Sequence, residues 1–76
     1  RLNSYLNLAR VCAFAGRYFL GRGEKEKALF FLQEGIRLEK ALQEAEQRSI
    51  EPPKWDTTEI QNLIREMRRL AEQLGS

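Results

Sequence analysis

The chain has no histidine, one cysteine, one methionine, one tryptophan and two prolines among its 76 residues. Without histidine the commonest general base of enzymes is missing. Cys12 alone cannot stand in for the nitrogen and sulfur ligands of a zinc site. One cysteine builds no disulfide framework, so a stapled secreted mini-protein is not expected. No apolar run approaches the ~20 residues that span a bilayer, and no signal peptide is visible. The net charge is only +2, whereas nucleic-acid binders carry a marked basic excess on one face. A chain of this length buries about 60% of the surface its unfolded form exposes, which leaves little room for a deep enclosed site. The expectation is one domain, non-catalytic, with no metal or cofactor and an intracellular, cytoplasmic setting. Because the chain begins with Arg1 rather than methionine, a domain cut from a longer protein is expected.

What is present is helical punctuation. From Leu2 to Leu20, apolar or small residues recur at Leu2, Tyr5, Leu8, Ala9, Cys12, Ala15, Gly16 and Phe19, which is the helical period. The small residues Cys12, Ala15 and Gly16 invite close approach by a second helix. Val11, Phe14 and Tyr18 form a second stripe, and a helix apolar on two sides is expected to lie between two neighbours. Gly21 and Gly23 then supply a helix stop, and so short a turn implies an antiparallel hairpin. The second segment presents Ala28, Phe31, Leu32, Gly35, Leu38, Leu42, Ala45 and Ser49 on one face. Glu24 and Glu26 in its first turn suit the helix dipole. The stretch IEPPKW cannot continue a helix, since proline lacks the amide hydrogen and forces extended geometry before it. Beyond it, Asp56 and Glu59 have capping-box spacing, with Trp55 and Ile60 placed as a hydrophobic staple. Ile60, Leu63, Ile64, Met67, Leu70, Ala71 and Leu74 then form a narrow seam. The spacing predicts an all-α antiparallel three-helix bundle with helices over 2–21, 24–49 and 57–74.

Motifs that tempt a chemical reading are weak. GRGEK (Gly21 to Lys25) lacks the phosphate-loop spacing and follows no strand. Glu39 and Glu46 fall on one face, but helix-bundle metal sites draw on Glu-x-x-His motifs and this chain has no histidine. They are expected at the edge of the buried face, with pairing to Arg65 or Arg68 the more plausible use. Arg17, Arg22, Lys25 and Lys27 cluster near the turn, interleaved with Glu24 and Glu26. Arg65, Arg68 and Arg69 are diluted by Glu66 and Glu72, with no aromatic between them to stack on bases. Nucleic-acid binding is therefore a remote third reading. Phe14, Tyr18 and Phe30 together form a candidate patch for a partner or a second copy of the domain.

Laid from Ala9 to Leu42, the first two segments resemble a tetratricopeptide repeat, a helical hairpin of about 34 residues. Gly16 and Phe19 stand at the pattern's glycine and aromatic positions, Gly23 at the turn and Ala28 at the small position of the second helix. Leu32, Gly35 and Ile36 follow. Cys12, Ala15 and Lys40 depart from the pattern's Trp, Leu and Pro. One hairpin followed by a third helix is also similar to microtubule-interacting-and-transport domains, and NLIREMRRLAEQL (Asn62 to Leu74) resembles their final helix. Both families bind peptides in helix grooves and neither is catalytic. The repeat resemblance implies a peptide-facing strip of Arg10, Ala13, Arg17 and Leu20, suited to an acidic peptide because arginine binds carboxylates bidentately. The function expected is a protein-interaction module that takes a partner peptide or helix in a groove. An accessory or oligomerisation domain of a larger enzyme is the alternative.

Overall fold

A computed structural model describes residues 2–48 and 57–75, the side chains of 2, 3 and 46 excepted. It contains three helices, α1 (Leu2–Gly21), α2 (Lys25–Arg48) and α3 (Thr58–Gly75), packed against one another as the all-α reading expects. The expected limits differ from these by one residue at most. Ser49, the proline connector, Trp55, Asp56 and the side chain of Glu46 lie outside the described residues, and with them the staple and the Asp56 cap.

The turn between α1 and α2 closes by two nested hydrogen bonds. The Gly23 N–H donates to the Leu20 carbonyl at 3.0 Å, and the Glu24 N–H reaches back to the Phe19 carbonyl at 2.9 Å. This is the 5→2 and 6→1 pairing of a Schellman motif, which places Gly23 one residue beyond the helix cap. Gly23 has φ of 77°, and a Cβ there would meet nothing within 4 Å. The whole cost of a side chain at this position is therefore backbone strain. Gly23→Ala is expected to lower stability by ~1–2 kcal/mol, read as a shift of the urea midpoint with an unchanged slope.

Glu24 then begins α2: its carbonyl accepts the Ala28 N–H at 3.0 Å. Its carboxylate takes Lys27 Nζ and Arg22 Nε, both at 3.1 Å. Lys27 first and Arg22 second hold this carboxyl below its ordinary value. A lowered folded-state value stabilises above the unfolded carboxyl range and is lost as pH falls through the lowered value, so the turn is tightest at neutral pH. At the start of α3, the Thr57 carbonyl accepts the Gln61 N–H and its hydroxyl accepts the Gln61 side-chain amide, each at 2.9 Å.

The core sits where the three helices meet. α1 contributes Ala9, Cys12 and Ala13; α2 contributes Leu32, Leu38 and Leu42; α3 contributes Ile60, Ile64 and Met67. Large side chains from α2 and α3 thus press on small ones of α1. Two glycines make the closest approaches. A Cβ at Gly16 would sit 2.5 Å from Leu32 Cδ2 and 2.9 Å from its Cγ. At Gly35 it would press on the Met67 sulfur, lie 2.6 Å from Met67 Cε, and stand 3.1 Å from Cys12 Cβ.

This packing corrects the picture of α1 as a helix between two neighbours. Both α2 and α3 press on its small-residue side, because Ala9, Cys12, Ala13 and Gly16 leave room for two helices on one face. The Val11, Phe14 and Tyr18 stripe is left exposed.

Candidate functional site

Within α1 only Arg10 and Arg17 carry charge. Both turn toward α3. Arg10 Nε and Nη2 lie 2.8 and 2.7 Å from Glu59 Oε2. Arg17 Nε donates to Glu66 Oε1 at 2.7 Å, and its Nη2 reaches the same oxygen. The two arginines and the two glutamates step along their helices by the same seven residues, so α3 runs parallel to α1. Glu59, expected to reach back along its own helix, reaches across to Arg10 instead. On the other flank of α3, Arg68 Nη2 meets Glu39 Oε1 at 2.5 Å, as the carboxylate pattern of α2 anticipates. Glu39 accordingly raises the Arg68 value. All three pairs are about half exposed, and such pairs contribute ~0–1 kcal/mol each. Their effect is to set register: α3 presents acid to α1 and base to α2.

The strip implied by the repeat resemblance therefore has an occupant within the chain. Arg10 and Arg17 hold α3, Ala13 is only 2% exposed beneath it, and Leu20 is half-buried. The structure seats α3 against the two arginines, with Ala13 in the core that the three helices share.

The opposite side of α1 is open. Leu8, Val11, Phe14 and Tyr18 are 49, 59, 71 and 50% exposed, and Phe30 of α2 is 59% exposed. Single exposed apolar residues are ordinary, and contiguity is what distinguishes a patch from them. The rings here are contiguous. Phe14 stacks on Tyr18 at 6.4 Å, and Tyr18 meets Phe19 edge-on at 5.3 Å. Phe19 stacks on Phe31 across the hairpin at 5.6 Å, and Phe31 meets Phe30 at 5.3 Å. Arg22 lies 5.6 Å from the Tyr18 ring centre and Lys27 5.6 Å from that of Phe19, a cation–π rim at the turn. The expected patch of Phe14, Tyr18 and Phe30 is thus joined into one belt by Phe19 and Phe31. Those two links are invisible in either helix alone and follow from the hairpin register.

The remaining chemistry is modest. Among the described residues no group of three His, Cys, Asp or Glu could hold a metal ion. A groove of about 290 Å³ between α2 and α3 is lined by Glu39, Leu42, Gln61, Ile64, Arg65 and Arg68 among others, with the Glu39–Arg68 pair on its wall. No described helix is long and apolar enough to cross a membrane. Cys12 is buried; burial pushes its thiol up, and the Glu34 carboxylate adds to this. Because the thiolate is the reactive form, a disulfide reagent is expected to label Cys12 only as fast as the fold opens, and at once in denaturant. Stopped-flow labelling at several reagent concentrations checks this, the expected rate reaching a plateau.

No family model, curated protein or solved structure matches this chain; what its own geometry defines is an all-α domain of three mutually packed helices.

Proposed function

We propose that this is a non-catalytic protein-interaction module that takes a partner helix against the outward side of α1. One observation supports the reading above the rest. The only charges of α1 are spent on α3, so its outward side is uncharged and bears four large, exposed apolar side chains. Covering such a surface with an apolar helix face is favourable at roughly 25 cal/mol per Å². The mode is helix-against-helix recognition, with spaced apolar anchors supplying affinity. The likeness to tetratricopeptide and microtubule-interacting-and-transport domains agrees in kind, since both bind peptides through helix surfaces, but the face proposed here is the outer one.

The arginines argue against nucleic acid. Arg10, Arg17, Arg22, Arg37 and Arg68 each have a glutamate partner, so their charge is already answered locally.

A selection of displayed amphipathic helices on the immobilised domain tests the reading. Helices recovered on the parent should be lost on Phe14→Glu. Equal recovery on both would refute it. In the same assay Arg10→Ala with Arg17→Ala is expected to leave capture within about twofold while lowering stability by ~0–2 kcal/mol, the sum for two exposed ion pairs. A tenfold loss of capture with the fold intact would return the site to the inner strip.

A further inference from the structure

The outward side of α1 has a finer pattern than exposure alone shows. Ser4, Asn7, Val11, Phe14, Tyr18 and Gly21 recur at alternating steps of three and four residues. This is the a/d spacing of a helix that pairs with another helix. Leu8 and Ala15 flank the stripe on one side, and Arg10 and Arg17 on the other. From the stripe's ends and flanks, resting on the outward-face reading above, we infer that the partner helix is α1 of a second copy, packed antiparallel across a two-fold axis.

Three features single out this occupant. The first is register. In an antiparallel pair the a positions of one helix face the d positions of the other. Centring the axis between Cys12 and Ala13 sets Val11 against Phe14 of the second copy, a small branched side chain against a large flat one. The same register sets Tyr18 against Asn7 of the second copy, where the phenol has an amide to bond. Leu8 falls beside Ala15 of the second copy on the flank. Two-fold symmetry repeats each contact, as an isologous interface requires.

The second is charge. The stripe itself carries none. On the flank, Arg10 of one copy approaches Arg17 of the other, but each arrives with its own carboxylate, Glu59 or Glu66. The rim is a set of alternating charges and not a like-charge clash. In this register Arg22 falls opposite Asn3 of the second copy, and Lys25 falls beyond its α1. A parallel pairing would instead set Phe14 on Phe14 and Val11 on Val11 of the second copy, losing the match of large against small.

The third is area. At the observed exposures, Leu8, Val11, Phe14 and Tyr18 leave on the order of 400 Å² in water per copy. Two copies with their polar rims bury roughly 1,000 Å², the lower bound of a specific interface. A dissociation constant on the order of 10 μM is expected for so small a contact.

Sedimentation of the whole chain across about 1–300 μM tests this, a range that brackets that constant. A reversible monomer–dimer equilibrium is expected. Phe14→Glu and Val11→Lys, both at exposed positions, should each be monomeric with unchanged circular dichroism. Mixed in equal amounts they should dimerise again, because the carboxylate introduced in one variant then faces the ammonium introduced in the other. A parent that stays monomeric throughout, a dimer that survives Phe14→Glu, or a mixture that fails to re-associate each overturns the proposal. If the parent is monomeric while displayed helices are still captured in a Phe14-dependent way, the self-pairing falls and the interaction module stands. If capture is absent too, both fall.

Discussion

Gly35→Leu is expected to lower stability by at least ~3 kcal/mol, at or beyond the upper end for overpacked cores. Gly35 is where all three helices touch: a Cβ there would press into the Met67 thioether of α3 and lie 3.1 Å from Cys12 Cβ of α1. Met67 is fully buried, so its thioether has no open solvent to retreat into. The helix-forming gain of replacing glycine, ~1 kcal/mol, opposes the loss but does not match it. For a domain of this size each kcal/mol moves the melting temperature by about 4–8 °C, so a large shift or outright unfolding is anticipated. The compensating variant separates steric cause from accident. Met67→Ala alone should cost ~2–5 kcal/mol as a cavity. Added to Gly35→Leu it should recover part of the loss, because the leucine occupies the vacated volume. Urea melts of the four proteins give the coupling directly. A coupling near zero would mean that Gly35 and Met67 do not meet as described.

Leu32→Ala carries the second large effect, and a reversal of sign goes with it. Leu32 is fully buried between α1 and α2, and emptying its site should cost ~2–5 kcal/mol. Its Cδ2 and Cγ lie 2.5 and 2.9 Å from where a Gly16 Cβ would be. In the parent, Gly16→Ala must displace the branch point of Leu32 and not merely a flexible tip, so it is expected to destabilise despite better helix propensity. In the Leu32→Ala background the obstacle is gone. There Gly16→Ala should stabilise by up to ~1 kcal/mol, the propensity gain alone. Chemical denaturation of the four combinations reads this. Gly16→Ala stabilising in both backgrounds would show that the α1–α2 contact at this point is looser than the structure has it.

The stop between α1 and α2 was legible because its signal is local. Gly21-Arg22-Gly23 announces a stop and Gly23 adopts the conformation that stop requires. The seam of α3 was legible as well: Ile60, Ile64 and Met67 recur on one side, and all three are buried. The use of each face of α1 was not. Its two apolar stripes differ mainly in side-chain size, and which one is covered depends on whether Leu32 and Met67 arrive from other helices to press on the small one. The pairing of Arg10 with Glu59 and of Arg17 with Glu66 spans 49 residues. That offset is set by how α3 docks, which no local pattern in α1 contains. Reading the arginine strip as a ligand surface followed from treating the hairpin as a free repeat. In this chain the third helix is already there.

The junction of the three helices also equips the protein with two clocks. The chain has one cysteine and one methionine, and both are buried where the helices meet. Sulfoxidation of Met67 needs α3 to lift away from Gly35, whereas labelling of Cys12 needs the small face of α1 to be uncovered. Sulfoxide is polar and bulkier than thioether, so a Met67 once oxidised would not reseat against Gly35, and each opening of α3 under peroxide would be recorded permanently. Comparing the two rates would show whether α3 detaches while the α1–α2 hairpin persists, as a separate cooperative unit, or whether all three helices part together.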